Sequence, residues 1–210
     1  MAAVGLGLSI TSGTGSLLVD IGGGTTDIAV LSFGGIVYSR SLRIGGRDLD
    51  QVIVNYLRMR HHLLIGERTA EQIKIEIGSA APLNRGVQLA VVGRDLISGL
   101  PKEVTLCDTE IREALEETVQ QIVSHIRAAL EHTPPELLAD IRARGVALTG
   151  GGSLLANLDQ RIRNHFGLPV TVPDDAFNNV VVGASQVLRD KQLLQKLKVR
   201  ESLPVLQAAA

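Results

Sequence analysis

The sequence predicts a mixed α/β domain with a smaller α+β subdomain inserted into it. Three observations predict this. Apolar runs of strand length alternate with amphipathic stretches of helical period. The first three strand-like runs follow one another through short glycine turns, as hairpins do. Two triple-glycine turns, Gly22-Gly23-Gly24 and Gly150-Gly151-Gly152, each follow a short apolar strand.

Residues 1–8 read as the tail of a helix, loosened by Gly5 and Gly7 and lacking a start signal of their own. Strands are predicted over 16–19, 27–32 and 35–43, with Phe33-Gly34-Gly35 as the second hairpin turn. Residues 48–61 form an amphipathic helix with Leu49, Val52, Ile53, Tyr56 and Leu57 on one face. Thr69 is predicted to cap a helix through Gly78, with Ala70, Ile73 and Ile77 inward. Strands over 87–93 and 102–106 flank a turn at 96–100. Asp108 is the predicted N-cap of the longest helix, 109–132, whose stripe is Ile111, Leu115, Val119, Ile122, Ile126 and Leu130. Glu113, Glu116 and Glu117 in its early turns and Arg127 near its end suit the helix dipole. Pro134-Pro135 ends it and opens a short helix over 136–144. A strand over 145–149, a helix carrying Leu154, Leu155, Leu158, Ile162 and Phe166, a strand over 168–172 and a helix over 180–197 complete the domain. Residues 204–210 read as a fraying tail.

The stretch Val19-Asp20-Ile21-Gly22-Gly23-Gly24-Thr25-Thr26-Asp27 carries the chemistry. Glycine lacks a Cβ, so the chain turns tightly and backbone N–H groups come close to an anion. Threonine hydroxyls can donate to phosphate oxygens, and Asp20 can hold Mg²⁺ directly or through water. A β-like run resumes at Ile28, so this is a hairpin tip and not a loop leading into a helix with a Lys-Ser/Thr pair. Alone, such a turn stands equally well as a ligand-free hairpin. The second cluster shifts the balance. Strand, Gly150-Gly151-Gly152-Ser153 and helix in that order would point N–H groups at an anion or a sugar–phosphate from a helix N-terminus. Its bland alternative is a strand-to-helix turn with Ser153 as N-cap.

DIGGGTTD, GGIVYSRSLRIGGRDLD, LLIGERTAEQIKIEIGSA and LTGGGSLLANLD together resemble the actin/Hsp70/sugar-kinase ATPase superfamily, and within it the MreB family of bacterial actins. The likeness covers roughly residues 1–188. It implies a ribonuclease-H-like (actin-like ATPase) mixed sheet with flanking helices, in which 15–43 and 107–190 form the nucleotide-holding part. Residues 44–106 then form the inserted subdomain, 1–14 the end of a helix from a preceding half, and 191–210 a C-terminal extension. It also implies that the chain corresponds to about the C-terminal 60% of such a protein, without the half carrying the first phosphate loop and the acidic residue assigned to hydrolysis.

The resemblance also implies site roles. Asp20 would organise Mg²⁺ and the attacking water, and Gly22, Gly23, Gly24 and Thr25 would cradle the β- and γ-phosphates of ATP. Glu71 and Lys74, with Gln72 and Ile73 between them, would hold the nucleoside. Gly150, Gly151, Gly152, Ser153 and Leu154 would border the sugar and α-phosphate. From spacing alone, Glu71 and Lys74 read as a solvated i, i+3 pair worth a few tenths of a kcal/mol. Arg40, Arg43, Arg47, Asp48 and Asp50 read as a solvated charged face, part of which the resemblance implies lies at a filament contact.

Composition excludes other classes. A net charge of −1 and 2% aromatics offer neither the electrostatic footprint nor the stacking platforms of nucleic-acid binding. With so few aromatics, the core is expected to be Val, Ile, Leu and Ala. The single cysteine, Cys107, excludes an internal disulfide. The five histidines form no metal or catalytic spacing, no run is long enough to span a membrane, and the N-terminus has no signal-peptide pattern. The resulting expectation is an ATP- and Mg²⁺-binding, filament-forming cytoskeletal protein of bacterial cell-shape determination. It would act in the bacterial cytoplasm, self-associate, meet morphogenesis proteins at the inner membrane, and associate with the membrane through partners or its missing half. The family's slow ATPase is expected to be incomplete in a chain holding half a site. The alternative is a non-catalytic module that caps or modulates full-length filaments. A sugar-kinase or Hsp70 relative has no support, because no sugar- or peptide-binding half is present.

Overall fold

A computed structural model describes residues 1–8, 13–192 and 194–195. Two sheets organise the fold. The larger is five-stranded, in the order β3-β2-β1-β7-β8, and the smaller is β4-β5-β6. In chain order the elements are α1 (Ala2–Gly5), β1 (Ser16–Ile21), β2 (Thr26–Ser32), β3 (Gly35–Leu42), α2 (Gly46–Arg60), β4 (Leu63–Leu64), α3 (Glu67–Ile77), β5 (Gln88–Asp95) and β6 (Pro101–Cys107). They continue with α4 (Asp108–Glu131), α5 (Pro135–Arg144), β7 (Val146–Thr149), a single 3₁₀ turn (Gly151–Leu154), α6 (Leu158–Phe166), β8 (Val170–Thr171) and α7 (Asn179–Arg189).

The three opening strands form an antiparallel meander, and β7 joins the other side of β1 in parallel. That places β1 at the centre, where its apolar run is buried on both faces. The core consists of Ala, Val, Leu and Ile, as the shortage of aromatics requires. It runs without a break from β1 and β2 through α4 to α2, α3 and the small sheet. α4 makes this possible. Ile111, Leu115, Val119, Ile122 and Ile126 recur at helical spacing and are all buried. A second, smaller cluster joins Ala2, Ala3 and Leu18. There α1 crosses α7 so closely that a Cβ on Gly183 would stand 2.1 Å from the Met1 carbonyl oxygen.

Several sequence expectations shift. The α4 N-cap is Cys107, and Asp108 is the first helical residue. Asp108 is buried, where its carboxylate accepts the Val87 N–H at 3.0 Å. Glu110 closes the cap by accepting the Cys107 N–H at 2.7 Å. α3 begins at Glu67 behind Gly66 and not at Thr69, because glycine also serves as an N-cap. The helix after the second glycine cluster does not start there. The chain makes one 3₁₀ turn, passes left-handed Asn157 (φ 58°) and only then enters α6. α7 ends at Arg189, and the 204–210 tail lies outside the described residues.

Candidate functional site

Parallel strands β1 and β7 finish side by side, with Asp20 in register with Thr149. Each runs directly into a triple glycine. The two turns therefore emerge together from the carboxyl ends of adjacent parallel strands, where open α/β sheets place ligands.

The first turn is closed by the Gly22 N–H donating to the Thr25 carbonyl at 2.8 Å. It is braced by the start of α2: Gly46 N–H donates to Gly22 O at 2.9 Å and Arg47 N–H to Gly23 O at 2.8 Å. The approach is very close. A Cβ on Gly45 would stand 2.7 Å from Gly22 O, Gly23 C and Gly24 N. With carbonyls turned toward α2, the N–H groups of Gly23 and Gly24 have no protein acceptor among the described residues. Gly23, Gly24 and Thr25 are exposed, and nothing lies within 4 Å of where a Gly24 Cβ would be. Asp48 accepts the Gly45 N–H at 2.7 Å and fixes the entry to α2.

The second turn leans on the first. Gly150 has φ 82°, and a Cβ there would stand 2.3 Å from Ile21 O and 2.5 Å from the Asp20 carboxylate. Gly152 packs against Ile21, whose Cγ2 a Cβ would meet at 2.3 Å. The Ser153 hydroxyl donates to Gly150 O at 2.7 Å, so it locks the turn. Leu154 is exposed. The exposed Phe177 ring lies over Gly151.

Asp20 sits at the junction. Burial, with the charge of Asp27 next, pushes its carboxyl above the usual range. Asp27 is its register partner across β1 and β2, and Asp27 accepts the Thr25 hydroxyl at 3.2 Å. This arrangement suits a cation: a carboxylate disfavoured by burial and by a second carboxylate gains most from positive charge. One or two carboxylates completed by phosphate and water is a donor set that fits Mg²⁺.

α3 is tied to the brace of the first turn, and the residues just beyond α3 are tied to the chain that follows the second turn. Lys74 Nζ pairs with Asp50 at 2.8 Å and donates to Gly46 O at 3.1 Å, so it ties α3 to the helix start that braces the first turn. Beyond α3, Ser79 pairs with Ala156 in a parallel bridge, and Ala80 N–H donates to Ala156 O at 2.8 Å, just after the second turn. The Glu71–Lys74 surface pair expected from spacing does not form. Glu71 is exposed, Gln72 donates to Glu76 at 2.8 Å, and Ile73 is core at 1% exposure. The structure thus brings Asp20, Gly22 to Thr25, Lys74, Gly150 and Gly152 together, and points Ile73 away. The charged face read from the sequence also divides: Asp48 caps, Asp50 pairs, and Arg40, Arg43 and Arg47 are exposed. Sequence reasoning missed the brace by Gly45, Gly46 and Arg47; the signal was a further glycine pair directly ahead of a helix.

The family model described as MreB/Mbl protein matches residues 1–196. The chain belongs to the MreB/Mbl family. It is 50% identical over 187 residues to the cell shape-determining protein MreB of Escherichia coli K12, covering 89% of this chain and 54% of that protein. It is 45% identical over 199 residues to the cell shape-determining protein Mbl of Bacillus subtilis 168, covering 95% of this chain and 60% of that protein. The chain therefore spans little more than half the length of these relatives. Among solved structures, MreB5 of Spiroplasma citri bound to ADP matches with a TM-score of 0.88 and 38% identity, over 95% of this chain and 60% of that one. A MamK double helical filament matches with a TM-score of 0.72 at 22% identity, over 90% of this chain and 57% of that one, a likeness of fold alone. The fold is the actin-like ATPase fold, a mixed sheet with flanking helices. Among the described residues no helix is long and apolar enough to cross a membrane.

Proposed function

We propose that this chain is the nucleotide-holding portion of an MreB/Mbl-type, ATP-binding, filament-forming protein of bacterial cell-shape determination. The observation that carries this reading is the meeting of two triple-glycine turns at the ends of β1 and β7, with Gly23 and Gly24 amides that have no acceptor among the described residues and the Asp20 carboxylate against Gly150. Relatives solved with ADP and with AMPPNP support it.

In this reading the Gly22–Thr25 turn cradles the β- and γ-phosphates through the Gly23 and Gly24 N–H groups and the Thr25 hydroxyl. Gly150 to Leu154 border the sugar and α-phosphate. Glu71, exposed on α3, accepts from ribose hydroxyls, while the Lys74 stem flanks the base. Gln72 and Ile73 contribute through the backbone and packing of α3. Mg²⁺, when bound, supplies positive charge that offsets phosphate and carboxylate repulsion, and Asp20 is the residue that would hold it, directly or through water. The protein divides at 44–106 into an inserted subdomain and the nucleotide-holding remainder. It self-associates head to tail, acts in the cytoplasm, and meets morphogenesis proteins at the inner membrane.

Pelleting by ultracentrifugation tests the function. Mg-ATP-dependent pelleting of the 210-residue chain, lost in Asp20→Ala, is the expected result. A chain that stays in the supernatant and shortens filaments of a full-length relative is instead a capping module. A folded chain that does neither contradicts a filament role.

A further inference from the structure

We propose that Arg47 is a phosphate-binding residue, its guanidinium supplying the protein's own cation to a nucleotide's phosphate chain over the Gly22–Gly24 turn. The inference rests on the nucleotide-binding reading above and adds a residue that reading does not use.

Four observations converge. First, position: the Arg47 N–H is bonded to Gly23 O at 2.8 Å, and its Nε lies 3.9 Å from where a Gly23 Cβ would stand. The side chain therefore folds back over the turn whose Gly23 and Gly24 amides have no acceptor among the described residues. Second, availability: Arg47 is exposed and makes no ion pair or side-chain hydrogen bond among the described residues. Lys74, the other cation near this turn, is committed to Asp50 and the Gly46 carbonyl.

Third, Arg47 is the second residue of α2. A cation in the first turn opposes the helix dipole, a choice that local stability does not explain. Asp48, one residue later, occupies the place the dipole favours and caps Gly45. Fourth, charge balance: Asp20 and Asp27 face each other at this turn. A polyphosphate arriving there meets two carboxylates, so free amides alone leave repulsion unanswered. A guanidinium above Gly23 answers it, and its planar fork matches two phosphate oxygens at once.

The test is calorimetric titration of the full chain and of Arg47→Gln and Arg47→Lys with ATP, ADP and adenosine in Mg²⁺ buffer. Losing a charge-assisted hydrogen bond lowers affinity about tenfold or more. The expected result is that loss for ATP and ADP in Arg47→Gln, partial recovery in Arg47→Lys, and unchanged adenosine binding. The backbone bond to Gly23 does not depend on the side chain, so the variants keep the turn, and matching thermal melts check this. Unchanged ATP affinity in Arg47→Gln overturns the inference and leaves the nucleotide-binding reading standing. An equal fall for adenosine also overturns it, as a mere effect on folding. An unmodified chain that is folded and binds no nucleotide removes both.

Discussion

Lys74 Nζ stands 2.8 Å from the Asp50 carboxylate, and this ion pair joins α3 to α2 beneath the first glycine turn. Both side chains are largely buried, at 15% and 13% exposure. Burial pushes the Asp50 carboxyl up, while the Lys74 hydrogen bond and charge pull it back. Lys74→Met leaves that carboxylate without its counter-charge. We expect a loss of about 1–3 kcal/mol in urea unfolding near neutral pH. The deficit should shrink as pH falls and Asp50 becomes neutral. Adding Asp50→Asn should recover part of it, and strictly additive effects in the double-mutant cycle would argue against coupling.

The glycines of the site separate into packing positions and ligand positions. Gly45→Ala forces a Cβ to within 2.7 Å of three backbone atoms of the first turn, none of which can rotate away. It should cost about 2 kcal/mol or more and disturb the turn. Gly24→Ala meets open space, so its stability should stay within about 0.5 kcal/mol of the parent. If Gly24→Ala nonetheless weakens nucleotide binding, crowding of the ligand is the cause. Thermal melts and titrations on both variants distinguish the two classes.

Glu110 latches α4 to the end of α2. Its carboxylate accepts from Tyr56 Oη at 3.1 Å, bonds His61 Nε2 at 2.9 Å and caps α4 through Cys107 N–H. Burial acts to raise its pKa, but the Cys107, His61 and Tyr56 bonds together leave it below the ordinary value. A carboxyl lowered on folding contributes stability that is present above its unfolded pKa, about 4.3, and lost as pH falls through the folded one. Glu110→Gln should therefore cost about 1 kcal/mol near neutral pH and progressively less below about pH 4. A constant difference across that range would contradict the latch.

For Asp20 the sign is opposite. Its carboxyl is raised on folding, so the ionised form opposes the folded state above that pKa and protonation relieves it. Asp20→Asn should raise the melting temperature of the ligand-free chain near neutral pH, and the gain should fade in acid. The same variant should lose the added stability that Mg-nucleotide gives the parent. A variant less stable than the parent without ligand would assign Asp20 a structural role instead.

Much of this was legible in the sequence. The hairpin strands, the α4 stripe and both glycine turns follow from alternation, helical period and the absence of side chains at Gly22–Gly24 and Gly150–Gly152. The errors fall where tertiary contact overrides local signals. Asp108 has an N-cap's chemistry, but its carboxylate is drawn to the Val87 N–H across the small sheet. Lys74 has Glu71 at helical spacing, but finds a buried partner in Asp50 from another helix. The two-residue β4 exists only through its pairing with β5, and no local pattern announces it. The α2 brace on the first turn was hidden for the same reason, since it is a contact between glycine backbones distant in the chain.

The central claim is that the two glycine turns hold nucleotide phosphates, and titration of the full chain with Mg-ATP by calorimetry, beside Gly24→Val, tests it most directly. The valine enters open space at the turn and leaves the packing positions untouched. The account predicts saturable binding to the parent and its loss in a variant that melts at the same temperature. Equal binding by both proteins, or none by the folded parent, would contradict it.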